Sequence, residues 1–335
     1  MNLPLRFQSY LRPMVWGGRK LGEALGKSLP NGSTYGEAWE ISDHPSHASV
    51  VSSGPYKGQT LRQLMERHST ALLGEHAVRY PRFPWLVKLL DACDWLSVQV
   101  HPNDMDAARL WPDEGGKTEA WFVLAAEPSS RIYAGLLPGV DEKGLREALR
   151  HGTVGDCLHQ FSPRPGDCLF LPAGTVHAVG GGVLMAEVQQ TSDATFRLYD
   201  WDRRDANGQM RQLHIEEALA CINWECGPVP PVRAANYPGG TDSSLQHGGA
   251  AIQQRLVQCP YFTLNYLCSS EPFTCDGGSL QVLLVLHGRG RVKTGAEMQP
   301  LVPGDTLLLP SALDELICYP EENLGLLLST LPDTR

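Results

Sequence analysis

No two of the nine cysteines stand as a CxxC pair, and an odd number cannot pair completely within one chain. That spacing speaks against a thiolate zinc site, whose ligands come in close pairs, and for reduced, mostly buried thiols. No stretch approaches the roughly 20 consecutive apolar residues of a membrane span. The opening Met1-Asn2-Leu3-Pro4-Leu5-Arg6 also lacks the basic-then-apolar order of a secretory signal, so the expected compartment is the cytoplasm. Positive charge is scarce: 28 Lys and Arg stand against 37 Asp and Glu, for a net charge of −9. No basic cluster is dense enough to neutralise a row of phosphates, which argues against nucleic acid and anionic membranes as partners. A small anionic ligand would need a local basic pocket. Charged residues are only 19% of the chain and hydrophobic ones 42%, the balance of a folded protein without long tails.

Glycine (34) and proline (25) are plentiful, and they punctuate short runs rich in Val, Leu, Phe and Tyr. Runs such as 121–124, 168–172, 183–189, 280–286 and 306–310 read as strands joined by turns, which points to a sandwich or barrel. Helical spacing is rarer. It covers 60–78, opened by a Thr60 cap, then 141–160 through Leu145, Leu149 and Leu158, and 214–221. An eight-residue unit occurs twice, as Pro165-Gly166-Asp167-Cys168-Leu169-Phe170-Leu171-Pro172 and as Pro303-Gly304-Asp305-Thr306-Leu307-Leu308-Leu309-Pro310. In each copy Pro-Gly-Asp gives a tight turn and the next residues a buried strand that ends at proline. The spacing to the preceding β-like segment is longer in the first copy by the length of 141–164, as if a helix had been inserted there. Two related β barrels account for a chain of 335 residues.

Past the repeat, the first copy continues Ala173-Gly174-Thr175-Val176-His177, giving G-x5-P-x-G-x2-H from Gly166. This resembles the second sequence motif of the cupin superfamily, in which that histidine binds a metal. The asparagine often found four residues later is Gly181 here. The second copy, Ser311-Ala312-Leu313-Asp314, has neither the glycine nor the histidine, so a metal is expected only in the first barrel. In Val98-Gln99-Val100-His101 a strand would place Gln99 and His101 on one face and both valines on the other, against apolar packing. Glu119 leads into the next strand and could add a carboxylate. Gln99, His101, Glu119 and His177 together offer mixed N/O coordination with room for water or substrate. Trp16, Trp39 and Trp85 read as core or inter-barrel packing, and 199–203 as a strand end followed by a turn.

The segments Ser97 to Pro102, Gly116 to Trp121, Pro172 to Ala178 and Gln190 to Arg197, with Trp16-Gly17-Gly18 and Gly36 to Ser42, resemble the type I mannose-6-phosphate isomerase family. The resemblance covers the chain from about residue 10 to its end, in the family's compact bacterial form. It implies a mainly β fold of two cupin (jelly-roll-like) barrels or sandwiches with a few short helices. The implied division is a catalytic metal-binding domain at 1–225 with a helical insertion near 141–164, a linker at 226–249, and a degenerate cupin at 250–335. It also implies one Zn2+ per chain on Gln99, His101, Glu119 and His177, and a sugar-phosphate substrate held by Lys88 and Ser97. The remaining pocket groups would be Lys117, Glu187, Asp193 and Arg197. Here three residues separate Asp193 from Arg197 where the family has four, and Gly116 stands where some relatives carry a histidine.

The implied reaction interconverts mannose 6-phosphate and fructose 6-phosphate through an enediol. Moving a proton between C1 and C2 needs a base and a stabiliser of the oxyanion, jobs for Glu187 or Asp193, Lys117 and Arg197. Two rivals stay open at this point. His101, Glu119 and His177 alone would suit an iron oxygenase, and the scaffold could serve a non-enzymatic sugar-phosphate sensor.

Overall fold

The structure, a computed structural model, describes residues 1–204, 207–238, 251–294 and 297–332. The stretch 239–249 of the expected linker, and residues 205, 206, 250, 295, 296 and 333–335, lie outside the described residues.

Strands dominate, and they pair antiparallel throughout. The first part of the chain builds a seven-stranded sheet in the order Tyr10–Arg12, Glu37–Ile41, Trp85–Ala92, Val183–Gln190, Glu119–Ala126, Asp167–Leu171 and Val232–Arg233. Facing it is a five-stranded sheet of Phe196–Tyr199, Val98–Val100, His177–Gly180, Arg131–Leu136 and Leu158–Phe161. Residues from 252 onward build a second pair, one sheet of five strands and one of four. Residues 232–233, inside the stretch read as a linker, add the last strand to the first sheet.

Side-chain alternation sets the layers. Along Glu119–Ala126, Trp121 and Val123 join a cluster with Ile132, Ala134 and Val179 of the facing sheet, while Ala120 and Phe122 point the other way. That other side packs on Leu264, Tyr266, Val282, Leu284 and Leu327 of the second pair, with the helix Leu61–Leu73 in the same cluster. A period of two along a strand buried on both faces therefore joins both halves in one apolar core. A fourth cluster, including Leu283, Val285, Leu307, Leu316 and Leu326, fills the interior of the second pair. At the start of the chain, Leu5 exchanges two backbone hydrogen bonds of 2.8 and 2.9 Å with Leu308, extending the edge strand Thr306–Leu309.

The repeated turns are alike atom for atom. Gly166 and Gly304 both take φ 88°. The Asp167 N–H donates to the Arg164 carbonyl and the Asp305 N–H to the Val302 carbonyl, each at 3.0 Å. Each aspartate side chain in turn accepts from the backbone N–H three residues earlier.

Of the helices, Leu61–Leu73 opens on a capping box between Thr60 and Gln63, and Ile215–Cys221 lies where the spacing put it. The reading of 141–160 as one helix is corrected. The helix Glu142–His151 stops at Gly152, which takes a left-handed φ of 68°. A short 3-10 turn follows, and Leu158–Phe161 is a strand. Trp16, Trp39 and Trp85 are buried, and the Trp85 indole N–H donates to the Tyr261 carbonyl of the other half. All nine cysteines are free thiols. Among the described residues no helix is long and apolar enough to cross a membrane.

Candidate metal centre and anion pocket

The two facing sheets bring together what the sequence holds far apart. His177 opens its strand directly opposite Gln99, and Glu119 stands opposite Leu171 and Gln189 on the other sheet. Val98 and Val100 turn into the apolar cluster behind, as alternation requires. His101, Glu119 and His177 are all fully buried, and their nearest ligand atoms lie within 4.8 Å of one another. His177 Nε2 is 3.4 Å from Glu119 Oε1 and His101 Nε2 is 3.5 Å from Glu119 Oε2. The Gln99 amide nitrogen sits 3.3 Å from His177 Nε2.

Both imidazoles are oriented from behind. His101 Nδ1 donates to the Ala194 carbonyl at 2.7 Å, and His177 Nδ1 to the Thr175 carbonyl at 2.8 Å. A carbonyl can only accept, so each Nδ1 carries the proton and each Nε2 lone pair faces inward, the arrangement of metal-binding histidines. Burial, reinforced by Lys117, pushes His101 down to about 4, and burial lowers His177 as well. Burial would raise Glu119, yet Lys117 holds it well below the usual carboxylate range. Neither Glu119 oxygen receives an aligned hydrogen bond, although Lys117 Nζ approaches Oε2 to 2.9 Å and donates to His101 Nε2 at 3.1 Å. An ionised, fully buried carboxylate beside two neutral imidazole nitrogens, with Lys117 as its close cation, has the donor set of a divalent-cation site.

Two glycines of the motifs are explained by their neighbours. A Cβ on Gly174 would stand 2.9 Å from Asn223 Cβ, and the Gly174 N–H donates to the His101 carbonyl at 2.8 Å. A Cβ on Gly116 would stand 2.6 Å from the Asp104 nitrogen, so a histidine there would force the backbone to shift.

Beside this candidate metal site opens a pocket lined by Lys88, Ser97, Gln99, Lys117, Glu187, Asp193 and Arg197, seven of the residues singled out by sequence. Lys88 is buried, 3.1 Å from Glu187 Oε1 and 3.9 Å from Asp193. Burial would lower it, but Glu187, Glu37 and Asp193 outweigh that and raise it. Asp193 and Arg197 do not pair with each other. Asp193 accepts from Arg12 at 3.0 Å, and Lys88 and Arg12 overcome its burial to lower it. Arg197 donates to the Gln212 carbonyl at 3.2 Å, its Nε is buried without a partner, and burial and nearby Arg211 lower it.

Sequence reasoning missed Arg12 and Glu114. Arg12 pairs with Glu37 and Asp193 and lies over the Trp39 ring. Glu114 accepts from His44, Ser192 Oγ and the Asp193 N–H, tying the loop before Lys117 to the turn that carries Asp193. Their partners are distant in sequence, and no local motif marked them. A larger groove, of about 630 Å³, lies between the N-terminal segment and the second half, but its Arg6 and Lys27 are already paired with Asp305 and Glu40.

Residues 4–126 match the family model described as the catalytic domain of type I phosphomannose isomerase. The chain is 35% identical over 313 residues to the mannose-6-phosphate isomerase ManA of Bacillus subtilis, covering 93% of this chain and 94% of that protein. It is 36% identical to the mannose-6-phosphate isomerase of Streptococcus mutans, again covering 93% and 94%. The crystal structure of a mannose 6-phosphate isomerase from Bacillus subtilis superposes with a TM-score of 0.84 at 31% identity, over 98% of this chain and 99% of that one. A buried His-Glu-His triad on facing β-sheets that could hold a metal, and likeness over almost the whole length, agree: the chain belongs to the type I phosphomannose isomerases, enzymes of mainly β, cupin-type fold.

Proposed function

We propose that this enzyme interconverts mannose 6-phosphate and fructose 6-phosphate through an enediol, with one Zn2+ held by Gln99, His101, Glu119 and His177. The observation that carries the reading is the buried Glu119 carboxylate, flanked by two inward-facing Nε2 atoms and met by Lys117, at the edge of a pocket rich in paired charges. Turning the Gln99 amide over would present its oxygen beside those nitrogens. When bound, the ion would supply a Lewis acid next to the sugar oxygens.

The chain's own groups account for the rest. Lys88, Ser97 and Arg197 line the anion-holding part of the pocket, and Arg197 is the least committed of the cations, since Lys88 already meets Glu187. A dianion held there fixes the register of the open-chain sugar. Asp193, held low by Lys88 and Arg12, is a weak base, whereas Glu187 faces one cation, Lys88, at 3.1 Å. Glu187 is therefore the favoured base for the proton at C1 or C2. Lys117, at hydrogen-bond distance from the metal centre, would pass the proton on, and Arg197 would face the developing negative charge.

The cytoplasm suits the nine free thiols. Two domains, divided near 225–250, would match the two pairs of sheets. The test is a coupled isomerase assay with mannose 6-phosphate before chelation, after it, and after adding zinc back, alongside metal analysis. Activity lost and restored with the metal supports the reading. Activity indifferent to chelation, or a bound protein that never turns over, refutes it.

A further inference from the structure

One side chain of the pocket is used by neither the metal centre nor the proton-transfer groups. Trp111 lines the pocket together with Lys88, Gln99, Lys117 and Arg197. It is nevertheless 38% exposed, whereas Trp16, Trp39, Trp85 and Trp121 are at most 4% exposed. The other three of the eight tryptophans are intermediate, which leaves Trp111 the single exposed one. The indole N–H groups of Trp39, Trp85, Trp121 and Trp201 donate to groups of the protein, and that of Trp111 is not among them.

Its position is fixed even so. The Trp111 N–H donates to the Ala107 carbonyl at 2.8 Å and closes the helix Asp104–Leu110, and its carbonyl accepts from the Glu114 N–H at 2.9 Å. Behind the ring lies buried Phe196, 6.0 Å between centroids and tilted by 34°. Phe196 directly precedes Arg197 in the strand Phe196–Tyr199, so the ring's backing and the pocket's guanidinium are set by one element. The part of the indole left in water forgoes the stabilisation that burial would bring. At a pocket wall, with its backbone tied and Phe196 against the ring, that face can be covered by a ligand.

We infer that Trp111 is a specificity-determining residue whose ring face carries the C–H face of the sugar while the pocket's cations hold the anionic end. The inference builds on the sugar-phosphate reading above. An aromatic face is electron-rich and the C–H hydrogens of a sugar carry partial positive charge, so the two attract while excluding water. Inorganic phosphate has no such face and gains nothing from the ring.

The test compares the wild type with Trp111→Ala and Trp111→Phe, by kinetics on mannose 6-phosphate and by competition with inorganic phosphate. In Trp111→Ala, KM for the sugar phosphate rises roughly tenfold with kcat moving less, and the inhibition constant of phosphate stays put. Trp111→Phe recovers most of the KM. An unchanged KM in Trp111→Ala, or a phosphate constant that rises in step with KM, overturns the inference. Calorimetry with the same two ligands repeats the comparison without turnover. A wild type that binds but does not convert mannose 6-phosphate then counts against the assigned reaction, and the ring's preference is still read from the two affinities.

Discussion

Behind Gly166 lies an interior with two imidazoles, two carboxylates and two lysines; behind Gly304, after the same turn, lies an interior of leucine, valine and two cysteines. The correspondence can be followed residue by residue. Glu119 stands opposite Leu171 and Gln281 opposite Leu309, so the second half keeps a polar side chain at the carboxylate's position, but as an uncharged amide. Glu315 follows Pro310 as His177 follows Pro172, and each opens a strand; His177 is buried and Glu315 exposed. Burying several charges costs several kcal/mol for each ion that is poorly paired. Each buried aliphatic side chain of the second half stabilises by about 1.5–3 kcal/mol, and one apolar cluster is common to both halves. The buried charges are thus confined to one copy of the scaffold, while the other fills the matching interior with apolar side chains.

The sharpest way to test that contrast is to alter the two matched positions. His177→Ala should lose metal, and activity should fall by at least roughly 100-fold, whereas Glu315→Ala should leave both unchanged, as read by metal analysis and the coupled assay. Equal effects would abolish the distinction between the halves. Next in size, Leu326→Ala, deep in the second interior, should cost about 2–5 kcal/mol in urea unfolding, with kcat per folded molecule preserved. A drop in kcat at unchanged stability would mean that the second half takes part in the reaction.

Acid should act on the first half. In metal-free protein His101 is pushed down to about 4 by burial, while an unfolded histidine titrates near 6.5. Between those values the unfolded chain binds the proton and the folded one does not. Stability is therefore unaffected above about pH 6.5, falls as pH drops toward about 4, and loses on the order of 3 kcal/mol. Urea midpoints of chelated protein at pH 7, 6 and 5 would trace the fall, which His101→Gln should reduce, leaving the share of His177, also lowered by burial; a slope undiminished by the substitution places its source elsewhere. The smallest effect is expected from Gln281→Glu, which puts a carboxylate where no lysine or histidine pair receives it. A loss of about 1–3 kcal/mol, fading as pH drops and the group protonates, is the expected outcome; a neutral result would show that the amide's position is already wet.

Much of this was legible in the chain. The duplicated turn announced itself because a positive-φ glycine and an aspartate that bonds back are both local requirements. The alternation of Gln99 and His101 with two valines gave the inward face of its strand for the same reason. The helix read through 141–160 went too far, since Leu158 continues the spacing of Leu145 and Leu149 while Gly152 has already ended the helix. Arg12 and Glu114 could not be seen at all: their partners Asp193 and Ser192 lie far along the chain, and only the register of the sheets brings them near. Lys88 was assigned to the substrate without its buried carboxylate neighbour, which depends on strand pairing with Glu187.

The clasp between Leu5 and Leu308 carries a consequence for association. Leu5 covers Leu308 in a strand that otherwise stands at the edge of its sheet. A bare edge offers unpaired amides and carbonyls to a second chain. Leu5→Pro, which removes the donated N–H, should open that edge and raise aggregation as read by light scattering, while Leu5→Val should not.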